Sequence, residues 1–87
     1  MKKIWSDDAW EDYLYWQTQD RKTLVRINKL IKDIERNGNT GIGNPEPLKH
    51  EWVGYWSREI DAKNRLIYCI FDDTIEIAIC GGHYGDK

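Results

Sequence analysis

Between residues 37 and 47 the hydrophobic period of the chain changes, and that change limits the folds open to it. Before this stretch apolar residues recur every three or four positions; after it they alternate. The stretch itself carries Gly38, Gly41, Gly43, Pro45 and Pro47. Such a run supports neither a continuous helix nor a continuous strand. With 87 residues in all, neither side is long enough to build a core alone. The two halves must share one core, which predicts a single α+β domain over residues 1–87.

The helical half is well punctuated. Residues 2–5 form a short strand candidate. Ser6 then precedes Asp7 and Asp8, an N-cap with acidic residues at the positive end of a helix dipole. Trp10, Tyr13 and Leu14 give this first helix its expected apolar stripe. Asp20 caps a second helix, in which Leu24, Ile27, Ile31 and Ile34 recur, widened by Val25 and Leu30. Asn37-Gly38 ends it. A short connection makes the pair an antiparallel hairpin.

In the second half, residues 55–60, 65–71 and 74–80 read as three antiparallel strands, with Asp72-Asp73 as a tight turn. Pairing around that turn sets Cys69 near Glu76, Ile67 near Ala78 and Arg65 near Cys80. Leu66, Tyr68, Ile70, Ile75, Ile77 and Ile79 then form one apolar face for the helices. Arg65 falls on the open face. If the next turn pairs Ile60 with Arg65, Arg58 joins it there.

Composition excludes several classes. No apolar run reaches the ~18 residues of a membrane span, and the N-terminus lacks the pattern of a signal peptide, so the expected location is cytoplasmic. Cys69 and Cys80 are expected as free thiols. Two Cys and two His, scattered, do not make a zinc site, and no cofactor is implied. The net charge is −2, unlike a protein that holds free nucleic acid by phosphate neutralisation. Across residues 44–65 the charges cancel: Lys49, Arg58, Lys63 and Arg65 against Glu46, Glu51, Glu59 and Asp61.

The polar residues not needed for a core are Glu46, held between two prolines, then Lys49, His50, Arg58, Arg65, His83 and Tyr84. A carboxylate, an arginine and a histidine suffice for metal-free RNA cleavage. A base deprotonates a ribose 2′-OH, an acid protonates the leaving 5′-oxygen, and a cation stabilises the charge on phosphorus oxygens. Those residue types also occur in any small domain, and Glu46 could be only a polar corner.

Here the chain resembles a known family. Ile4-Trp5-Ser6, Tyr13-Leu14-Tyr15-Trp16, Pro45-Glu46-Pro47-Leu48-Lys49-His50, Trp56-Ser57-Arg58, Arg65-Leu66-Ile67-Tyr68 and His83-Tyr84 are similar to the YoeB/Txe toxins of bacterial toxin–antitoxin pairs, within the RelE superfamily. The resemblance runs nearly end to end. It implies a compact RelE-like fold: a short N-terminal strand, a helical hairpin and a curved antiparallel sheet. It implies a ribosome-dependent endoribonuclease cutting mRNA in the decoding (A) site, with a 2′,3′-cyclic phosphate product. By position, Glu46 would be the general base, His83 the general acid and Arg65 the stabiliser of the phosphorane. Lys49, Arg58 and Tyr84 would contact the RNA. The implied partners are a cognate antitoxin, the ribosome with its mRNA, and a second copy when antitoxin is absent. The alternative is a non-catalytic inhibitor of the same superfold that binds a topoisomerase.

Overall fold

The structure, a computed structural model, describes residues 1–81. The first strand, β1 (Lys2–Trp5), enters α1 (Asp7–Gln19) through Ser6, whose Oγ accepts the Ala9 amide at 3.0 Å. Asp20 alone connects α1 to α2 (Arg21–Asn37). Its amide closes the first helix on the Trp16 carbonyl at 3.1 Å, and its carboxylate accepts the Thr23 amide at 3.2 Å to open the second. Tyr13 Oη donates to Asn28 Oδ1 at 2.7 Å. These residues are nearly equidistant from Asp20 in sequence, so the helices fold back antiparallel. Gly38, at φ 67°, stops α2 and donates to the Ile34 carbonyl at 2.8 Å.

The sheet has the order β1-β5-β4-β3-β2, with β2 at Glu46–Pro47, β3 at Trp56–Glu59, β4 at Arg65–Phe71 and β5 at Thr74–Gly81. A 3₁₀ turn spans His50–Trp52. The three expected strands β3, β4 and β5 pair antiparallel and β2 joins them antiparallel, but β1 lies parallel to β5, so the sheet is mixed. The Pro-Glu-Pro segment, expected as loop, contributes the second edge strand. Proline is compatible with an edge because no ladder donor is required there.

The β4–β5 hairpin turns on Asp72 and Asp73, at φ 46° and 56°. Two left-handed residues define the type I′ turn that matches strand twist. Cys69 opposes Glu76 as expected, but one residue further on the ladder slips. Tyr68 opposes Ile77 and Ile67 opposes Ile79, leaving Ala78 as a bulge. Ser6 holds the bulge: its amide donates to the Ile77 carbonyl at 2.9 Å and its hydroxyl to the Ala78 carbonyl at 2.6 Å. The expected pairs Arg65–Cys80 and Ile67–Ala78 are therefore shifted by one, and Arg65 opposes Gly81. Because strand faces alternate, Cys80 turns into the helical core and Ile79 turns to the other face.

That core joins Ala9, Ile27, Leu30, Ile31 and Ile34 to Ile60, Leu66, Tyr68, Ile75, Ile77 and Cys80. Tyr13 and Trp16 pack on it from α1, whereas Trp10, Leu14 and Val25 are exposed. The stripe of α1 thus runs through Ala9, Tyr13 and Trp16. Trp10 stacks on Tyr13 instead of entering the core.

Candidate active site

The β3–β4 turn decides which arginine reaches the helix-free face. Asp61 Oδ1 accepts the amides of Lys63 and Asn64, both at 2.8 Å, and Ile60 N–H bonds to the Asn64 carbonyl at 3.0 Å. This tight closure pairs Glu59, not Ile60, with Arg65. Trp56, Arg58 and Ile60 consequently face the helices, and Ser57 and Glu59 face away.

Arg58 is thus corrected from an open-face residue to a fully buried one. Each of its five N–H groups has an acceptor. Nη1 donates to Asp33 Oδ2 and, at 3.0 Å, to the Ile42 carbonyl; Nη2 donates to the carbonyls of Gly38 at 2.6 Å and Thr40 at 2.9 Å; Nε donates to Tyr68 Oη at 3.2 Å. Asp33 also accepts the Ile42 amide at 3.1 Å and the Asn37 side chain at 2.8 Å. The Arg58 bond to Asp33 holds its carboxyl below the ordinary value. A guanidinium so engaged has no donor left for a phosphate. It pins the loop that runs into Asn44 and Glu46. Asp33 was not singled out from the sequence. The signal was present: Arg58 sits in the inward alternation Trp56-Arg58-Ile60, and a carboxylate on the flank of the α2 stripe can meet it.

Glu46 and Arg65 do share the helix-free face, on which Ser57, Ile67 and Ile79 are buried. Glu46 opposes Ser57, Ser57 opposes Ile67, and Ile67 opposes Ile79, one row across the sheet. The next row is Glu59, Arg65 and Gly81. Strand geometry puts the Glu46 and Arg65 Cα atoms ~12 Å apart, two strands over and two residues along. Two long side chains can reach a phosphodiester between them from that spacing. Glu46 is exposed. Asn44 Nδ2 lies 3.5 Å from Glu46 Oε1 and 3.4 Å from Glu59 Oε2. Arg65 Nη1 donates to the backbone carbonyls of Asp61 at 2.6 Å and Asn64 at 3.1 Å. Among the described residues Arg65 makes no ion pair with a carboxylate. Carbonyls thus orient the guanidinium while its charge stays uncompensated by direct contact.

Backbone strain brackets this segment. Asn44 at φ 52° and His50 at φ 60° are non-glycine residues in the left-handed region on either side of Glu46-Pro47-Leu48-Lys49. Lys49 is exposed just before the 3₁₀ turn. The Leu48 amide bonds to the Tyr55 carbonyl at 2.9 Å, and Tyr55 Oη donates to Glu76 Oε1 at 3.2 Å, beside Cys69 Sγ. This contact ties residues 48–55 to the sheet. Burial, then the Glu76 charge, push the Tyr55 phenol up to about 12. His83 and Tyr84 lie outside the described residues. Among the described residues no group of three His, Cys, Asp or Glu could hold a metal ion. None of the described helices is long and apolar enough to cross a membrane.

Residues 5–84 match the model of the YoeB-like toxin of bacterial type II toxin–antitoxin systems. The chain belongs to this family. Toxin YoeB of Escherichia coli (strain K12) is 51% identical over 84 residues, covering 97% of this chain and all of that one. The YoeB/ParE toxin from Agrobacterium tumefaciens superposes with a TM-score of 0.93 at 40% identity, covering 97% of this chain and 100% of the other. YoeB from Staphylococcus aureus, solved as a YoeB–YefM complex and as a dimer, gives TM-scores of 0.92 and 0.90 at 45% and 46% identity, over 97% of this chain and 98% of that one. This YoeB-like chain is the toxin of a toxin–antitoxin system, with the α+β fold of that family.

Proposed function

We propose that this YoeB-like toxin is a ribosome-dependent endoribonuclease that cuts mRNA in the decoding site. The observation that carries the reading is the joint placement of Glu46 and Arg65 on the helix-free face, from separate strands, with Asn44 beside the carboxylate. Glu46 removes the proton from a ribose 2′-OH. The 2′-oxygen attacks the adjacent phosphorus, and Arg65 stabilises the charge on the equatorial oxygens. His83 gives a proton to the departing 5′-oxygen. The P–O5′ bond breaks, leaving a 2′,3′-cyclic phosphate and a 5′-hydroxyl. The nucleophile is internal to the substrate, so the scheme requires no metal. Lys49 and Tyr84 hold the RNA; Arg58 holds the loop.

Docking on the ribosome supplies the substrate in place, which removes the need for a strongly basic surface. The Staphylococcus aureus complex supports a cognate antitoxin as the neutralising partner, and the dimer from the same organism supports self-association without it. The antitoxin lays an acidic segment on the open face.

The test is induced expression of wild type and Glu46→Gln, with mRNA ends mapped by primer extension. Growth arrest with new 5′ ends inside translated codons, absent in the variant, is expected. Arrest by both proteins without new ends would instead indicate a non-catalytic inhibitor of another target, such as a topoisomerase.

A further inference from the structure

We infer that Glu59 is an affinity-determining residue of this site, a fixed negative charge that weakens the hold of Arg65 on an RNA phosphodiester. The inference rests on the nuclease reading and deepens it. Glu59 is the direct register partner of Arg65, so their Cα atoms stand ~5 Å apart with both side chains on one face. Its backbone is immobilised. The amide donates to the Gly43 carbonyl at 2.7 Å, and the carbonyl accepts Arg26 Nη2 at 3.0 Å. Its carboxylate is exposed and turned towards Asn44, 3.4 Å from the amide that also serves Glu46.

The carboxylate therefore faces the region between base and guanidinium and forms no ion pair with Arg65. A phosphate seated on Arg65 must approach this charge. At ~6 Å in water the repulsion of two unit charges weakens binding about threefold, and a lower local dielectric carries this towards tenfold. Screening removes the effect at high salt, where the Debye length falls to ~3 Å. The rest of the site does not compensate, since the charges of residues 44–65 cancel. Glu59 thus makes free RNA a poor ligand and leaves the positioned substrate as the favoured one.

The probe is a fluorescently labelled 2′-O-methyl octaribonucleotide, which binds but offers no 2′-OH nucleophile. Its dissociation constant is measured by anisotropy from 20 mM to 1 M NaCl for wild type, Glu59→Gln and Glu11→Gln. Gln keeps an oxygen for Asn44. Glu11 is exposed on α1, against the opposite face, and controls for net charge alone. We expect Glu59→Gln to bind three- to tenfold tighter at 20 mM, with the gain gone at 1 M, and Glu11→Gln to match wild type within twofold. Equal binding by wild type and Glu59→Gln, or equal gains in both variants, would overturn the role of Glu59 and leave the nuclease reading intact. Binding by none of the three at 20 mM would count against the RNA reading of this face and against Glu59 together. The readout involves no cleavage, so an inactive nuclease leaves it interpretable.

Discussion

Replacing Asp33 by Asn tests whether the loop before Glu46 is held by an ion pair. The variant keeps the shape of the side chain and an acceptor for the Ile42 amide, but removes the only carboxylate that meets Arg58 among the described residues. Arg58 is wholly buried, and its other four acceptors are three neutral carbonyls and a phenol. Leaving a buried cation without its counter-ion costs about 3–5 kcal/mol. Asp33 retains 16% side-chain exposure, so water reaches that side, and we place the loss near the lower end, about 3 kcal/mol. For a chain of this size that corresponds to roughly 12–24 °C in Tm.

The pH dependence has a definite sign. Asp33 has a folded pKa below its ordinary value, chiefly through the Arg58 bond. Its contribution is therefore complete above the unfolded carboxylate value of ~3.9 and is lost as pH falls through the folded value. Urea unfolding of both proteins should show a constant gap from pH 7 to 5 that narrows below about pH 4. A gap under about 0.5 kcal/mol, within the range of an ordinary surface substitution, would refute the clamp. So would a gap of full size that persisted to pH 2.

Ser6→Ala removes both an N-cap acceptor and the donor to the bulge carbonyl, and should cost about 1–2 kcal/mol in the same urea assay. Asp73→Gly relieves a left-handed aspartate at the second position of a type I′ turn; a gain of about 0.5–1 kcal/mol is expected by thermal unfolding. The Cys80 thiol is buried and pushed up to about 12 by burial and by Asp12, so at pH 8 a thiol reagent should label Cys69 first and Cys80 only at the rate of unfolding. Mass spectrometry of the labelled peptides reads that order directly.

Much of the fold was legible before the structure. Ser6, Asp20, Gly38 and the Asp72-Asp73 turn each act locally, through a cap or a left-handed dihedral, and each bounds an element where the sequence indicates. The period of α2 likewise identified Ile27, Leu30, Ile31 and Ile34 as core. Errors arose where two elements meet. The stripe of α1 runs through Ala9, Tyr13 and Trp16, and Trp10 stays exposed, stacked on the ring of half-buried Tyr13. The alternation along β4 places Arg65 on the helix-free face, as the sequence indicates, but Arg58 lies on the opposite face, and Glu46, expected in a loop, lies on an edge strand.

By itself the sequence determined the two-part architecture, the stiffness of the Pro-Glu-Pro segment and the membership that its motifs carry. These depend on chain-local properties: hydrophobic period, proline and glycine dihedrals, residue order. Only the tertiary structure decided which side chains face each other across the sheet. A one-residue shift in a strand inverts its faces, and here two shifts occur, at the Ala78 bulge and at the Asp61–Asn64 turn. The first is stabilised by Ser6, remote in sequence, and the second by bonds within a four-residue turn. Together they bury Arg58 against Asp33, send Cys80 inward, and leave Glu59 beside Arg65.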